Sequence, residues 1–343
     1  MTETRKSVVL KHRPRGAPSA DDFEVRDDAV PTPGPGEVVT RTIWLSIDPY
    51  MRGRVSDAWS YAPPIQPGEV MTGETVGEVA ASADPGFAVG DVVAGARGWQ
   101  THCCAPAASL VKVSKPHHHD HAPLSAYLGV LGMPGTTAYS GMTDIGQPNA
   151  GETVVISAAS GAVGSVAGQI AKRAGARVIG IAGGADKCFF VQDVLGFDEC
   201  IDHRTMDLDG ALKNACPNGI DVYWENVGGA VQYAVFAQLN PFARVVMCGM
   251  VAQYNENQDD LPPGPNLGFV VRKRVKIQGL IVSDKPARFA EWRALAAPWV
   301  ADGSLKYRED VIDGLENAPD ALAGILSGQN FGKLLVRVGP DPK

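Results

Sequence analysis

The feature that most constrains this 343-residue chain is an apolar strand pattern that runs into a small-residue turn and then into a helix. Residues 153–158 are rich in β-branched side chains, Ala159–Gly164 form the turn, and a helical pattern continues to Ala174. Short apolar runs and helical stretches then alternate to about residue 248, which is typical of successive βαβ units. The pattern predicts strands over Arg177–Ala182 and Arg244–Cys248 and helices over Lys187–Leu195 and Leu208–Ala215. The alternation predicts a doubly wound α/β domain around a parallel sheet.

The turn has the glycine spacing of a dinucleotide-binding loop, except that Ala159 stands in place of the first glycine. Gly161 would let the backbone approach a pyrophosphate, and Gly164 would let the helix pack closely on the strand. The helix N-terminus offers N–H groups and the positive end of its dipole to phosphate. Because the loop opens the series of alternating units, dinucleotide binding is favoured over a merely structural tight turn.

The end of the second strand indicates which dinucleotide binds. An NAD enzyme usually has Asp or Glu there to bind the adenine ribose hydroxyls, whereas Arg177–Ala182 is followed by Gly183. Lys187 and Arg204 are natural partners for a 2′-phosphate, and His203 could stack or hydrogen-bond near the adenosine end. The pattern therefore favours NADP(H), the alternative being that these three are ordinary solvated side chains.

The region before residue 125 is strand-rich and punctuated by proline and glycine. Apolar runs such as Val38–Ile47 and Val76–Val79 lie between turn signals, which indicates a barrel-like or sandwich domain. After the alternating region, a helix is expected near Pro286–Ala301 and a final strand near Gly332–Val338. The sequence thus predicts two domains of different architecture.

Charge and composition exclude several classes of function. The formal net charge of −7 leaves the chain without the basic footprint of a nucleic-acid-binding protein. Two long uncharged stretches, residues 122–143 and 153–171, are less apolar than a membrane-spanning helix, and the N-terminus lacks a secretory apolar segment. Six cysteines without a Cys-x-x-Cys pair fit a reducing compartment. We expect a cytoplasmic protein with no nucleic-acid or membrane partner.

The order of the regions resembles that of medium-chain alcohol dehydrogenases, which bind a catalytic zinc through Cys, His and Cys. Here Leu45–Arg52 contains no Cys and Gly73-Glu74 contains no His, so no metal is expected. The tract His117–His121 could bind a divalent metal adventitiously. Without a Lewis acid, hydride transfer to an activated C=C bond fits better than alcohol oxidation, because its charge develops on an enolate oxygen that a neutral donor can stabilise.

Motifs along nearly the whole chain narrow this resemblance. These motifs are Leu45–Arg52, Gly132–Tyr139, Ala159–Gly164, Glu225–Gly229, Gln253–Asn255, Leu261–Pro265 and Gly328–Lys333. With them the chain resembles the zinc-independent, NADPH-dependent medium-chain reductases of the leukotriene B4 dehydrogenase/prostaglandin reductase group, and most closely their bacterial curcumin-reductase branch.

The resemblance implies the fold, the cofactor and the reaction. It implies a GroES-like barrel domain over residues 1–130, a Rossmann NADP-binding domain over 131–308, and a return to the first domain over 309–343. NADPH (NADP+) would be the cofactor for reducing the C=C bond of α,β-unsaturated ketones and aldehydes, curcumin-like or other hydrophobic enones. Such proteins often dimerise by joining sheet edges, and Val275–Val282 is the candidate edge here.

Family roles carry over onto matching positions. Tyr254 is expected to assist catalysis by donating a hydrogen bond, directly or through the nicotinamide ribose, to the developing enolate, because tyrosine has an ordinary pKa of about 10. Tyr61 is a second candidate donor or a substrate contact, and Tyr50 and Met133 would shape the substrate pocket. For Tyr50 and Tyr61 the alternative is aromatic packing. The expected cofactor-binding residues are Gly161, Ala162, Val163, Gly164, Lys187, His203, Arg204, Asn226, Cys248, Gly249, Met250, Val251, Tyr254, Leu280, Ile281, Val282 and Asn330.

Two other functions remain open at this point. One is quinone reduction by NADPH on the same fold, and the other is a non-enzymatic NADPH-binding role. The aromatic residues Trp59, Tyr61 and Trp99 suggest an enone with a hydrophobic or phenyl substituent.

Overall fold

The computed structural model describes residues 4–113, 122–256, 261 and 264–342. The tract His117–His121 and part of the motif Leu261–Pro265 lie outside the described residues. Two compact units divide the chain, one of Met1–Gly129 with Glu309–Lys343 and one of Val130–Arg308. Within the described ranges, no helix is long and apolar enough to cross a membrane.

The described strands are β1 (Thr4–Leu10), β2 (Phe23–Ala29), β3 (Glu37–Ser46), β4 (Glu74–Ser82), β5 (Val92–Ala96), β6 (His102–Pro106), β7 (Val111–Lys112), β8 (Thr153–Ser157), β9 (Arg177–Ala182), β10 (Glu199–Asp202), β11 (Ile220–Glu225), β12 (Leu239–Met247), β13 (Lys276–Gly279), β14 (Glu309–Asp313) and β15 (Lys333–Arg337). The α-helices are α1 (Met51–Arg54), α2 (Met133–Gly141), α3 (Gly164–Arg173), α4 (Ala185–Phe189), α5 (Leu208–Ala215), α6 (Gly229–Ala237), α7 (Gly268–Lys273), α8 (Ala287–Ala301) and α9 (Ala318–Leu326).

The second unit is built on a parallel sheet in the order β10-β9-β8-β11-β12-β13. This is the 3-2-1-4-5-6 order of the doubly wound dinucleotide-binding fold, and it confirms the predicted fold class. All five residues of β8 are buried, as expected for a strand covered on both faces. The predicted bounds of β9 and α5 are correct, whereas β12 begins five residues before the predicted Arg244. The predicted helix Lys187–Leu195 is α4 followed by a π-helical turn, Phe190–Val194.

Two glycines bring α3 close to the sheet. A Cβ atom on Gly164 would lie 2.4 Å from the carbonyl oxygen of Ala158, and one on Gly168 would lie 1.8 Å from the ring of Phe197. Neither distance is sterically possible, so only glycine allows this packing. The sequence predicted that Gly164 lets the helix pack closely on the strand, and the structure shows this close packing.

The first unit contains a mixed sheet in the order β14-β15-β3-β4-β5-β7, with β6 also paired to β3, and a separate β1-β2 hairpin. The strand β2 was not expected from the sequence because, after Phe23, its residues are exposed and mostly polar. Trp99, one of the aromatic residues taken to suggest a hydrophobic substrate, lies in the core instead. Trp99 is fully buried and stacks on Phe23 with 5.6 Å between ring centroids, whereas Trp59 is 95% exposed.

Candidate active site

The structure places the predicted cofactor residues of the second unit directly after the carboxyl ends of its strands. In a parallel sheet these ends share one edge, and ligands bind where the strand order reverses, which here is between β8 and β11. The residues that follow β8, β9, β10, β11, β12 and β13 in turn are Gly161–Gly164, Lys187, His203 with Arg204, Asn226, Cys248–Tyr254, and Leu280–Val282.

In the turn after β8, the residue with a left-handed backbone is Ala158 and not one of the glycines of the loop. Ala158 has a φ of +49°, which costs a non-glycine residue roughly 1–2 kcal/mol. Ala159 is fully buried, and a Cβ on Gly180 would lie 2.9 Å from the Ala159 Cβ. The N-terminus of α3 has no side-chain cap, so its first N–H groups are not satisfied in that way. An uncapped N-terminus of this kind suits a phosphate group.

A fully buried carboxylate lies at the reversal point, and the sequence reasoning did not identify it. Glu225 ends β11, and its Oε1 accepts hydrogen bonds from the backbone N–H groups of Val227 (2.7 Å) and Gly228 (3.0 Å). Its Oε2 has no hydrogen-bond partner within the described part of the chain. The available sequence signal was a charged residue directly after the apolar run Val222–Trp224.

Asn226 joins β11 to β8 through both ends of its amide. Its Nδ2 donates to the carbonyl oxygen of Ser157 at 2.7 Å, and its Oδ1 accepts from Trp224 Nε1 at 3.0 Å. The backbone N–H of Asn226 donates to Ser157 Oγ at 2.8 Å. One N–H and one lone pair of the amide remain for a ligand. The side chain therefore positions the two strand ends in addition to its expected contact with the ribose.

His203 and Arg204 lie against Gly183, and together with Lys187 on α4 they form a basic group at this strand edge. A Cβ on Gly183 would lie 2.8 Å from Arg204 Nε and 2.9 Å from His203 Nε2, so both side chains cover this glycine. Burial lowers the pKa of His203, and the positive charges of Arg204 and Lys187 lower it further. The negative charge of Asp202 acts in the opposite direction and raises the pKa of His203. This arrangement can hold a dianion such as a 2′-phosphate.

Asp202, which the sequence analysis did not single out, organises this basic group. Its Oδ1 accepts hydrogen bonds from the backbone N–H groups of Gly184 at 2.9 Å and Arg204 at 3.0 Å. These two bonds lower the pKa of Asp202. The carboxylate thus ties the beginning of α4 to the end of β10. Like Glu225, it is an acid at the end of a strand.

The segment after β12 brings Tyr254 back toward the strand end. The Tyr254 hydroxyl oxygen accepts a hydrogen bond from the Met250 N–H at 3.4 Å, and a Cβ on Gly249 would lie 3.0 Å from it. The N–H groups of Cys248 and Gly249 donate to the Glu225 carbonyl oxygen at 2.9 and 3.1 Å. Burial raises the pKa of Cys248 to about 12, so the thiol that lines the site is neutral.

The first unit holds three of the remaining candidates. Burial raises the pKa of Tyr50, and Asp48, Glu74 and Tyr61 raise it further. The Tyr61 side chain is 56% exposed. Asn330 Nδ2 donates to the Gly332 carbonyl oxygen at 2.7 Å.

Asp48 lies in the segment Leu45–Arg52, where an alcohol dehydrogenase has a zinc ligand. It forms a buried ion pair with Lys333 of β15. Asp48 Oδ1 lies 2.9 Å from Lys333 Nζ, and their side chains are 7% and 3% exposed. Among the residues that the structure describes, no three or more His, Cys, Asp or Glu side chains form a group that could hold a metal ion. Met133, a predicted substrate contact, begins α2 in the second unit.

Comparisons with known proteins agree with this architecture. Two family models match the chain, an N-terminal domain of oxidoreductase over residues 6–113 and a zinc-binding dehydrogenase over residues 162–302. The NADPH-dependent curcumin reductase of Escherichia coli (strain K12) is 48% identical over 97% of this chain and 96% of its own length. The 2-alkenal reductase (NADP(+)-dependent) of Nicotiana tabacum is 40% identical over 98% of each chain. The crystal structure of CurA in complex with NADPH from Vibrio vulnificus has a TM-score of 0.91 at 47% identity, covering 98% of this chain and 99% of that one.

Proposed function

The chain belongs to the leukotriene B4 dehydrogenase/prostaglandin reductase group of the medium-chain dehydrogenase/reductase family, and on that premise we propose that it reduces the C=C bond of α,β-unsaturated ketones and aldehydes with NADPH. The observation that carries the proposal is the basic group around Gly183, on the same strand edge as Tyr254. Relatives named as NADPH-dependent curcumin reductase and 2-alkenal reductase support the substrate class.

We propose that the residues after the strand ends of the second unit bind NADPH. The turn Gly161–Gly164 and the uncapped end of α3 would hold the pyrophosphate. Lys187, His203 and Arg204 would hold the 2′-phosphate, because Gly183 leaves room and provides no carboxylate to repel it. Asn226, Cys248–Tyr254 and Leu280–Val282 would line the ribose and nicotinamide.

The proposed chemistry separates the role of the cofactor from that of the protein. NADPH, when bound, supplies the hydride that goes to the β-carbon of the enone. Tyr254 donates a hydrogen bond to the carbonyl oxygen, where negative charge develops. The phenol oxygen of Tyr254 accepts a hydrogen bond from the Met250 N–H. This bond makes the phenol O–H a stronger donor, because hydrogen bonds in a chain polarise one another. The α-carbon then takes a proton from Tyr254, Tyr61 or water.

The function is tested by mixing the purified protein with NADPH and a phenyl-substituted enone. We expect the absorbance of the reduced nicotinamide to fall and the saturated ketone to accumulate in equal amount. No NADPH oxidation across a panel of enones would rule the proposal out. Formation of a quinol or semiquinone from quinones, without enone reduction, would instead favour the quinone reductase. Tight NADPH binding with no turnover, unchanged in Tyr254→Phe, would favour a non-enzymatic role.

The basic group gives a first prediction about cofactor choice. Lys187→Ala should raise the Michaelis constant for NADPH about tenfold, because one charged partner of the phosphate contributes about 1.5 kcal/mol or more. The constant for NADH should change by less than about twofold, since NADH carries no 2′-phosphate. Lys213→Ala, on the neighbouring helix α5, is the control and should alter neither constant. Equal effects of Lys187→Ala on both cofactors would contradict the assignment.

His203 gives a second prediction, which concerns pH. In the free protein its pKa is below the ordinary value, so the ring is neutral at pH 7. A bound 2′-phosphate favours the imidazolium and raises that pKa, so NADPH binding takes up a proton. The dissociation constant for NADPH should therefore fall as the pH is lowered from about 8 to 6.5. The fall should be up to tenfold for each unit by which the pKa of His203 is higher in the NADPH-bound protein than in the free protein. Titration calorimetry at several pH values measures this effect. His203→Gln and the use of NADH should each abolish the slope, and a slope that persists in both would contradict it.

Assembly and location complete the proposal. We propose a homodimer that joins β13 strands, because β13 ends the parallel sheet in the described order. The Leu280 N–H points to β12, where it donates to the Met247 carbonyl oxygen, so the N–H of the preceding Gly279 points to the free edge. Gly279→Pro should then give a monomer in sedimentation experiments, since proline removes that donor from the edge. The six cysteines are all unpaired, which supports a cytoplasmic location.

A further inference from the structure

Two thiols of the second unit lie against each other beside the basic group. Cys188 is on α4 and Cys200 is on β10, and Cys200 Sγ donates a hydrogen bond to Cys188 Sγ at 2.9 Å. The S–S bond of a disulfide is about 2.0 Å long, so the two sulfurs are only about 0.9 Å farther apart than in a covalent bond. None of the other four cysteines, all of them described, has a sulfur–sulfur contact of this kind.

The two thiols have different chemical characters. The hydrogen bond from Cys200 lowers the pKa of Cys188, and the same interaction raises the pKa of Cys200. By contrast, burial raises the pKa of Cys216 and of Cys248 to about 12. The thiolate is the reactive form of cysteine, and oxidation-sensitive cysteines are often found next to a second cysteine that resolves the first product. Cys188 has the character of the attacking thiol and Cys200 that of the resolving one.

We propose that Cys188 and Cys200 are an oxidation site at which a peroxide converts the dithiol into an intrachain disulfide. The Cys188 thiolate attacks one oxygen of hydrogen peroxide, the O–O bond breaks, and water leaves with a proton from solvent, giving a sulfenic acid on Cys188. The Cys200 sulfur then attacks Cys188 Sγ and expels the hydroxyl group as a second water, which takes the Cys200 proton. In total, two thiols and one peroxide give one disulfide and two waters. Thiols of a reducing compartment reverse the reaction by exchange.

The position of the pair couples this oxidation to cofactor binding. Cys188 follows Lys187 on α4, and Cys200 lies two residues before Asp202, which hydrogen-bonds the N–H groups of Gly184 and Arg204. Closing the last 0.9 Å draws α4 toward β10, and so moves Lys187 relative to Arg204. Because both would hold the 2′-phosphate, oxidation should weaken NADPH binding several-fold and leave NADH binding nearly unchanged. This part of the inference rests on the proposed function.

The experiment treats the full-length protein with hydrogen peroxide at low molar excess and without cofactor. We expect the intact mass to fall by that of two hydrogens, two titratable thiols to disappear, and peptide mapping to link Cys188 to Cys200. Cys188→Ser and Cys200→Ser should each prevent this loss, and the control Cys216→Ser should behave as the unsubstituted protein. Dithiothreitol should restore both thiols. A persistent dithiol, or a disulfide between other cysteines, would overturn the oxidation site.

Cofactor binding is measured separately by fluorescence titration of the reduced and oxidised protein. A several-fold rise in the NADPH dissociation constant alone supports the coupling, and equal constants in the two states overturn it. Failure of NADPH binding, on which the proposed function depends, gives a different result. In that case the reduced protein would bind neither cofactor, while the disulfide would still form.

Discussion

Replacing Lys333 with methionine should lower the free energy of unfolding by about 3–5 kcal/mol, because it leaves the buried carboxylate of Asp48 without its partner. The ammonium group also donates to the carbonyl oxygens of Ile47 at 2.8 Å and Leu334 at 3.1 Å. Methionine keeps most of the apolar stem, so the loss reports the charge and its hydrogen bonds. The shift of the urea midpoint, at an unchanged slope, measures the effect.

Two control variants separate this effect from a general sensitivity to lysine loss. Lys333→Met combined with Asp48→Asn should recover part of the stability, because Asp48 is then neutral. The recovery is incomplete because Glu309, which is opposite Lys333 in the sheet register, still loses the favourable charge of the lysine. Lys172→Met breaks an ion pair with Asp198 whose side chains are 33% and 30% exposed, and it should cost less than about 1 kcal/mol. A double variant as unstable as Lys333→Met, or equal losses for the two lysines, would contradict this account.

Tyr254→Phe should lower kcat for enone reduction about 100-fold, which corresponds to about 2.7 kcal/mol of transition-state stabilisation. The substitution removes the donor to the developing enolate and keeps the ring. Because the hydroxyl has no charged role in cofactor binding, the NADPH dissociation constant should stay within about twofold. Single-turnover measurement of NADPH oxidation separates the chemical step from product release.

Tyr61→Phe is the matched variant, because it removes the hydroxyl of the other candidate donor. Tyr61 is 56% exposed in a loop of the first unit, so we expect it to affect the Michaelis constant for the enone more than kcat. A 100-fold loss of kcat in Tyr61→Phe, with kcat of Tyr254→Phe nearly unchanged, would show that Tyr61 is the donor to the enolate and that Tyr254 is not. Comparable small effects in both would indicate that water supplies the proton.

The βαβ region was predictable because its pattern is local. Strand β9 and helix α5 begin and end where apolar periodicity and charged flanks change, and the residues that follow each strand end must share one edge of a parallel sheet. The hairpin strand β2 was missed because its exposed, polar sequence has no apolar alternation. Trp99 was misassigned because composition cannot distinguish an aromatic residue in a loop from one in the core.

The sequence by itself determined the parallel sheet, the glycine turn, the absence of an acid after β9 and the basic residues near it, because each depends on neighbours within a few positions. Only the tertiary structure decided which distant groups meet. Asp48 pairs with Lys333 across 285 positions, and Ser157 meets Asn226 across 69. Cys188 contacts Cys200 because two neighbouring elements, α4 and β10, run side by side. Such contacts depend on how whole strands and helices pack, and no local sequence pattern encodes which residues far apart in the chain come together.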